Sequence, residues 1–253
     1  GIVNGTTNYI LTKMTKDHME FADALALATE LGYAEADPTA DVEGYDAARK
    51  VAIMASIAFN SRVTFSDVYT QGITKITAAD IAYATEMGMV IKLLGVARNT
   101  DTGIEAGVYP MLIPADHPLA GVNDSFNAVF VHGDAVDDAM FQGRGAGKLP
   151  TASAVVADVV DEAKHLHRNI MTNWSSRPLK LMTMDEVEGR FFVRVKGTTV
   201  EQVEAVFDNV QIVNLKNLPG EFGFITECMK QGTYEEKVHK LNGNVITMIR
   251  VKD

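Results

Sequence analysis

The sequence predicts an α+β protein in which a mixed β-sheet covered by helices is followed by a smaller unit of βαββαβ order. Apolar residues recur at helical spacing through the first sixty residues, and strand-like runs follow from residue 90 onward. The connector 173–189 has little periodicity of either kind. We therefore expect two domains, at 1–172 and 190–253, on either side of this linker.

Three stretches near the N-terminus predict helices. "NYILTKM" and "EFADALALATELG" have apolar residues at helical spacing, and Gly32 ends the second of them. "YDAARKVAIMASIAF" is rich in strong helix formers. Its apolar face contains Val51, Met54, Ala55 and Ala58, so we expect this helix to be largely buried.

Strands and a further helix follow. "VIKLLGVARNT" and "GIEAGVYPMLIP" predict two strands around the turn residues 99–103, and "NAVFVHGDAV" predicts a third. We expect their sheet to lie behind the early helices. The glycine loop in "GRGAGKLPT" leads into a long amphipathic helix, which Pro150 and Thr151 open and which ends near Asn169.

The C-terminal segment has an order of its own. "RFFVRVKG", "VQIVNLKNL", "FGFITECM" and "VITMIRVKD" predict four strands, with a turn at Pro219 and Gly220. "TVEQVEAVF" and "TYEEKVHKLNG" predict helices after the first and third strands. The order βαββαβ is the ferredoxin-like plan.

Composition excludes several classes of function. The 253 residues carry a formal net charge of -10 without a dense basic run, which argues against a nucleic-acid partner. No apolar run is long enough to span a membrane. Cys228 is the only cysteine, so an intrachain disulfide is impossible and a reducing compartment is expected. The six histidines have no ligand spacing, and we predict no metal site.

An acidic stretch, "GYAEADPTADVEGYDAARK" at Gly32–Lys50, is the main candidate for chemistry. Asp46 and Lys50 are four residues apart on a predicted helix, so their charged ends can meet. Such a pair is often only an exposed salt bridge, worth about 0.3–0.5 kcal/mol. The apolar neighbours of Lys50 also allow a partly buried lysine that a carboxylate orients, which suits proton transfer.

The other carboxylates of this stretch leave several interpretations open. They fit the spacing of a calcium-binding EF-hand loop badly. A carboxylate pair for glycoside hydrolysis is conceivable. Glu35 or Asp41 could instead accept hydrogen bonds from the ammonium group of an amino-acid substrate. Asp37 and Glu43 are predicted to be solvated loop residues.

Two small-residue motifs each have a functional and a structural interpretation. "GRGAGKLPT" fails the Walker pattern because Leu149 follows Lys148, so it predicts either a close-packed turn or a backbone contact with a cofactor. "NGTTN" places Gly5, Thr6 and Thr7 before a helix. These residues could cap that helix or allow close approach of a ligand.

Five motifs occur along the chain in this order: "GIVNGTTNYIL", "LGYAEADPTADVEGYDAARK", "AGVYPMLIP", "NAVFVHGDAV" and "GAGKLPTASAVVADV". Together, in this order and at similar separations, they resemble the substrate-binding half of homoserine dehydrogenase. The resemblance implies NADPH- or NADH-dependent interconversion of aspartate semialdehyde and homoserine in threonine and methionine biosynthesis. It implies that Lys50 is the acid–base group and that Asp46 supports it.

The same resemblance assigns further residues. Gly5, Thr6, Tyr33, Glu35 and Asp41 match positions that line the amino-acid site. The departure at Ala40 concerns a position where some members of the family have a second acid. Gly145, Gly147 and Thr151 would complete a cofactor site that is formed mainly elsewhere.

The resemblance also implies partners for this chain. A nicotinamide-binding Rossmann domain would precede the chain, which begins without an initiator Met, so we expect this segment alone to be inactive. The tail resembles an ACT-type regulatory domain, although "VKGTTVEQV" lacks the Pro-Gly turn that is common there. A cytoplasmic homodimer or homotetramer is expected. The alternative is a non-catalytic sensor that binds an amino acid.

Overall fold

Helices cover the first sixty residues, as the periodicity predicts. The computed structural model describes residues 1–169, 171, 175, 179–241 and 244–252. Its first helices are α1 (Gly5–Lys16), α2 (Phe21–Glu30), α3 (Thr39–Val42) and α4 (Tyr45–Phe59). Gly32 adopts φ +75 just beyond α2, a conformation that glycine tolerates, so the predicted end of this helix is confirmed.

Helix α4 is buried on one face only. Its buried residues are Ala47, Ala48, Val51, Ala52, Ala55 and Ser56. The opposite face exposes Ile53 and Ile57, the latter by 67%, and Ala58 is exposed as well. The expectation of a largely buried helix was therefore wrong for this outer face, because α4 packs on the sheet from one side.

The sheet that α4 covers is built around a long hairpin. Strands β2 (Met89–Thr100) and β3 (Gly103–Pro114) are antiparallel and in continuous register, as predicted. Ahead of them lie the short strand β1 (Tyr69–Thr70), which pairs in parallel with β3, and helix α5 (Ala78–Glu86).

A second, two-stranded sheet and a helix follow the hairpin. Strand β4 (Phe126–Gly133) is the predicted third strand, and it pairs with β5 (Asp137–Arg144), which the sequence analysis did not predict. Helix α6 (Lys148–Lys164) then begins at the predicted glycine loop. It ends five residues before the predicted Asn169, because a turn follows in which His167 has φ +64.

The C-terminal segment has the predicted βαββαβ order. Its elements are β6 (Glu188–Lys196), α7 (Val200–Glu204), β7 (Gln211–Val213), β8 (Glu221–Ile225), β9 (Met229–Lys230), α8 (Gln231–Val238) and β10 (Val245–Val251). The strand order β10–β6–β8–β7 is antiparallel throughout and has the ferredoxin-like arrangement. Strand β7 is shorter than the predicted run "VQIVNLKNL", and β9 is a small addition that pairs with β6.

The two predicted domains share one sheet. Strand β10 pairs in parallel with β3, with Arg250 opposite Met111 and Val251 opposite Leu112. In the described residues this pairing produces one sheet of eight strands. Six of them follow the order β1–β3–β10–β6–β8–β7, while β2 also pairs with β3 and β9 with β6. One apolar cluster accordingly contains Ile10 and Val51 together with Phe192.

The predicted linker 173–189 falls partly outside the described residues, because 173–174 and 176–178 are not among them. Its described part is tied to the start of β3. Ile104 donates its backbone N–H to the Lys180 carbonyl at 2.7 Å, and Met182 donates to the Ile104 carbonyl at 2.8 Å. The division into two domains stays a prediction.

No helix in the described ranges has the length and apolar character that crossing a membrane requires.

A buried ion pair joins the two halves of the core. Arg194 on β6 donates to Asp80 Oδ1 on α5 at 2.8 Å and to the Thr77 hydroxyl at 3.0 Å. Burial raises the pKa of Asp80, while its bonds with Thr77 and the charge of Arg194 lower it. Removing one partner of such a pair leaves the other charge buried and uncompensated.

Replacing Arg194 should therefore destabilise the protein strongly. For Arg194→Met we expect a loss of about 3–5 kcal/mol in the free energy of unfolding at pH 7.5, measured by chemical denaturation. Lys180→Met is the control, because it removes the exposed Lys180–Glu186 pair and should cost less than about 1 kcal/mol. Similar losses in the two variants would contradict the assigned role of Arg194.

Lys92 on β2 is a second buried charge, and it faces neutral oxygens. Its ammonium donates to the Val122 carbonyl at 2.6 Å and to Asn8 Oδ1 at 3.1 Å. Burial lowers the pKa of Lys92 to about 8, with a smaller contribution from Lys16 in the same direction and an opposing one from Asp124. The ammonium ties β2 to the segment that leads into β4.

This lowered pKa predicts a pH dependence of stability. Between pH 8 and 10.5 the folded protein has lost the Lys92 proton while the unfolded chain keeps it, so the free energy of unfolding rises with pH. The contribution is at most about 1.4 kcal/mol per pH unit. In denaturation at pH 7.5, 8.5 and 9.5, Lys92→Met should lose this rise, whereas Lys75→Met, at an exposed position, should keep it. A rise of the same size in Lys92→Met would refute this account.

Candidate active site

The ammonium of Lys50 is held by two oxygens at the outer side of α4. It donates to Asp46 Oδ2 at 2.7 Å and to the Val3 carbonyl at 2.9 Å. The lysine side chain is 46% exposed, so it is less enclosed than the sequence analysis expects. These two oxygens take up two of its three N–H donors, which leaves a third for a ligand.

Asn4 connects this lysine pair to a second carboxylate. Its Nδ2 donates to Asp46 Oδ2 at 2.9 Å and to Asp41 Oδ1 at 2.7 Å. Its Oδ1 accepts the Thr7 backbone N–H at 2.9 Å and thereby caps α1. Because that backbone N–H requires an acceptor, it fixes which end of the amide faces the carboxylates.

Three of the four remaining predicted substrate residues, Gly5, Thr6 and Tyr33, lie around α1 near its N-terminus. Thr6 donates its hydroxyl to the Tyr33 carbonyl at 2.7 Å, and the Tyr33 ring packs against Tyr9 with centroids 4.8 Å apart. Gly5 begins α1 in close contact with the segment before β4, because an added Cβ would lie 2.9 Å from the Ser125 carbonyl oxygen. Glu35 is exposed in the loop before α3.

Of the two acids predicted to be solvated loop residues, Asp37 is exposed, whereas Glu43, in the turn after α3, is half-buried. Asp37 accepts the Thr39 backbone N–H at 3.1 Å, which fixes the turn that leads into α3. No group of three or more potential metal-binding side chains (His, Cys, Asp or Glu) occurs in the part of the chain that the structure describes.

A cleft of about 520 Å³ brings Lys50 together with the glycine loop. It lies between α4 and the β4–β5 hairpin, and its lining includes Lys50, Ile53, Asn127, Phe141, Arg144 and Gly145. The other two residues predicted to bind cofactor, Gly147 and Thr151, lie near the start of α6 and outside this lining. One of the three predicted cofactor residues therefore shares a cleft with the lysine.

The lining of this cleft suits a ligand that has both an apolar ring and phosphate groups, because Ile53 and Phe141 are apolar while Lys50 and Arg144 are cationic. An added Cβ at Gly145 would lie 2.5 Å from Asn127 Nδ2, so the glycine loop packs closely on the end of this side chain. The Asn127 Oδ1 atom is buried and has no hydrogen-bond partner in the described chain. The residues present therefore fit a nicotinamide cofactor as far as this side of its site is concerned.

Sequence reasoning missed Asn4. It named the next three residues of "NGTTN" but not the asparagine. The available signal was the N-cap preference for asparagine, which predicts a capping role. The contacts with Asp41 and Asp46 could not be inferred, since these partners lie 37 and 42 residues along the chain.

Comparison with known proteins identifies the family. The protein-family model described as homoserine dehydrogenase matches residues 1–160 of this chain. The chain belongs to the homoserine dehydrogenase family. It is 58% identical to the homoserine dehydrogenase of Mycobacterium bovis over 98% of its own length, and 49% identical to that of Bacillus subtilis over 68%.

Solved structures agree with this assignment. The homoserine dehydrogenase from Thiobacillus denitrificans has a TM-score of 0.88 at 35% identity, covering 99% of this chain and 62% of that one. A homoserine dehydrogenase from S. aureus has a TM-score of 0.82 at 36% identity, with 99% of this chain and 63% of that one covered. The chain spans 56% of the Mycobacterium bovis relative and 40% of the Bacillus subtilis relative.

The contacts of Asn4 predict a charge-dependent effect of Asn4→Asp. Aspartate still caps α1, but it places a third carboxylate against Asp41 and Asp46. We expect a loss of roughly 1–3 kcal/mol in the free energy of unfolding at pH 7.5, and a smaller loss at pH 5, where clustered carboxylates take up protons in the folded state. Chemical denaturation at both pH values measures this.

Asn4→Ser is the matched control, because serine caps the helix without adding charge. Its loss of stability should be nearly the same at the two pH values. Equal pH dependence in Asn4→Asp and Asn4→Ser would show that the three side chains are not coupled.

Proposed function

We propose that the complete polypeptide carrying this chain is a cytoplasmic homoserine dehydrogenase, which interconverts L-aspartate 4-semialdehyde and L-homoserine with NADP or NAD. This chain would supply the amino-acid site and the acid–base group. The observation that carries the proposal is the Lys50 ammonium, held by Asp46 and the Val3 carbonyl beside a cleft that also contains Gly145. Membership of the family supports the choice of substrate.

In this proposal Lys50 transfers the proton. During reduction Nζ donates a proton to the carbonyl oxygen of the semialdehyde, and during oxidation it takes the hydroxyl proton of homoserine. Asp46 keeps the ammonium directed at this oxygen and balances its charge. Asn4 keeps Asp46 in place, because both Asn4 and Lys50 donate to the same carboxylate oxygen.

The amino-acid part of the substrate would bind beside α1. Asp41, which Asn4 holds at 2.7 Å, and Glu35 would accept hydrogen bonds from the substrate ammonium. The backbone amides of Gly5 and Thr6 lie at the N-terminus of α1, where the helix dipole favours the substrate carboxylate. Tyr33 would close this site from the loop after α2.

The cofactor would be held from two sides. When bound, the nicotinamide ring supplies or accepts the hydride. Gly145, Gly147 and Thr151 would contact it from this chain, and a Rossmann domain of the same polypeptide would hold most of it. Ile53 and Phe141, which line the cleft and are 61% and 72% exposed, support a covering domain at this place.

The C-terminal βαββαβ unit is proposed to be an ACT-type regulatory domain. The strand order of this unit supports the proposal. Binding experiments with threonine and other small molecules would identify its effector. We also propose that the complete protein forms a homodimer or homotetramer, and light scattering would measure its oligomeric state.

The alternative function is that of a non-catalytic sensor that binds an amino acid. Homoserine binding by a protein that does not reduce aspartate semialdehyde would favour it.

Lys50 is the residue whose replacement tests the proposed reaction. In the complete protein, Lys50→Ala should lower kcat by about 100-fold or more, the usual scale for a positioned general acid. Lys50→Arg should also be slow, because a guanidinium keeps the charge but does not release a proton. The measurement is the rate of homoserine oxidation and of semialdehyde reduction at saturating substrate.

Lys237→Ala serves as the control, because it removes another lysine–carboxylate pair, with Asp208, in the C-terminal unit. It should leave kcat within about twofold, because Lys237 lies on α8 and does not line the cleft that contains Lys50. A Lys50→Ala enzyme that also stays within twofold of the wild type would rule out proton transfer by Lys50.

A further inference from the structure

Arg144, the last residue of β5, lines the cleft that contains Lys50. It is exposed, and it lies opposite Phe126 of β4, with its guanidinium carbon 4.8 Å from the centroid of the Phe126 ring. Among the described residues, no carboxylate forms an ion pair with this guanidinium. The ring contact supports the group from one side but supplies no hydrogen-bond acceptor in its plane, so its N–H donors can reach a ligand in the cleft.

The charge of the cleft indicates what kind of ligand this is. The lining contains two cationic side chains, Lys50 and Arg144, and no Asp or Glu. The protein as a whole has a formal net charge of -10, so a lining of this sign is unlike the rest of the surface. Asp46 balances the charge of Lys50 at 2.7 Å. Arg144 is therefore the cleft cation that has no counter-ion, and it suits an anionic group.

Two anionic groups belong to the proposed reaction, and the position of Arg144 favours one of them. The substrate carboxylate is proposed to bind at Gly5 and Thr6, neither of which lines this cleft. Arg144 directly precedes Gly145, in the loop proposed to contact the cofactor. A planar guanidinium also matches the oxygens of a phosphate group in a bidentate contact.

The cofactor carries phosphates at different distances from its reacting ring. The nicotinamide ring must come close to the carbonyl that Lys50 serves, and Lys50 shares the cleft with Arg144. The phosphate on the nicotinamide ribose is the one nearest to that ring. The additional phosphate of NADP lies on the adenosine ribose, at the other end of the molecule.

We propose that Arg144 binds the phosphate group on the nicotinamide ribose of the cofactor. This inference rests on the proposed function. The guanidinium N–H groups donate to the phosphate oxygens, while Phe126 supports the guanidinium from its other side. Arg144 acts in binding and in positioning the nicotinamide half of the cofactor, and it transfers no proton.

Two fragments of the cofactor test this contact in binding alone. Nicotinamide mononucleotide and nicotinamide riboside differ only in the phosphate group. In ligand-observed NMR titrations without substrate, the complete wild-type protein should bind the mononucleotide at least about tenfold more tightly. Arg144→Met should reduce this preference by about tenfold, the value of one charge-assisted hydrogen bond.

Arg49→Met is the matched control. It removes another exposed arginine that lies over a phenylalanine ring, with its guanidinium carbon 5.1 Å from the Phe65 centroid, but Arg49 does not line the cleft. The preference for the mononucleotide should stay at its wild-type value in this variant. Because each preference compares two ligands on one protein, partial unfolding of a variant cancels.

Titration with homoserine separates the two anions of the reaction. Arg144→Met should bind homoserine as tightly as the wild type does, because the amino-acid carboxylate is proposed to bind at α1. Weaker homoserine binding with an unchanged preference for the mononucleotide would assign Arg144 to the substrate carboxylate and overturn the proposal.

The remaining outcomes separate this inference from the function on which it rests. If the wild type oxidises homoserine and Arg144→Met keeps the wild-type preference, the role of Arg144 is wrong and the function stands. A wild-type protein that binds neither the cofactor nor the mononucleotide and does not oxidise homoserine overturns both. An equal fall in Arg49→Met and Arg144→Met contradicts a specific contact with Arg144.

Discussion

The side chain of Asn4 is the interaction on which the arrangement of the site depends. One end of its amide caps α1, and the other end holds Asp41 and Asp46, so a single planar group fixes a helix and two carboxylates. Asp46 in turn holds Lys50, whose ammonium returns to the Val3 carbonyl, next to Asn4 in the chain. The contacts form a closed ring, and movement of any member would disturb the others.

The sequence is sufficient to predict elements whose pattern is local. The bounds of α4 agree with the stretch "YDAARKVAIMASIAF", because helix formers and a one-sided apolar pattern occur within fifteen residues. Strand β5 escaped prediction because its residues, "DDAMFQGR", are largely polar and exposed. The same reasoning overestimated the burial of α4, since periodicity shows that a helix has an apolar face without showing whether its other apolar residues are covered.

The closeness of Asp46 and Lys50 could be predicted from the sequence, whereas the contacts between distant segments of the candidate site could not. The four-residue spacing of Asp46 and Lys50 is visible in the sequence, and in the structure Lys50 Nζ lies 2.7 Å from Asp46 Oδ2. Three features can be seen only in the folded chain. They are the hydrogen bonds of Asn4 to two carboxylates, the contact of Gly145 with Asn127, and the position of Lys50 beside the β4–β5 hairpin. Contacts between distant segments depend on tertiary packing, for which one sequence carries no direct signal.

The pairing of β10 with β3 has a consequence for how the chain is made. Arg250, near the end of the chain, lies opposite Met111, and β10 occupies the place between β3 and β6. Residues 1–114 are synthesised well before β10, so the sheet around β3 is incomplete until β10 pairs with it, and contacts of such long sequence separation slow folding. Without β10 the sheet would have an open seam between β3 and β6 rather than a shortened edge, because β10 pairs with both strands.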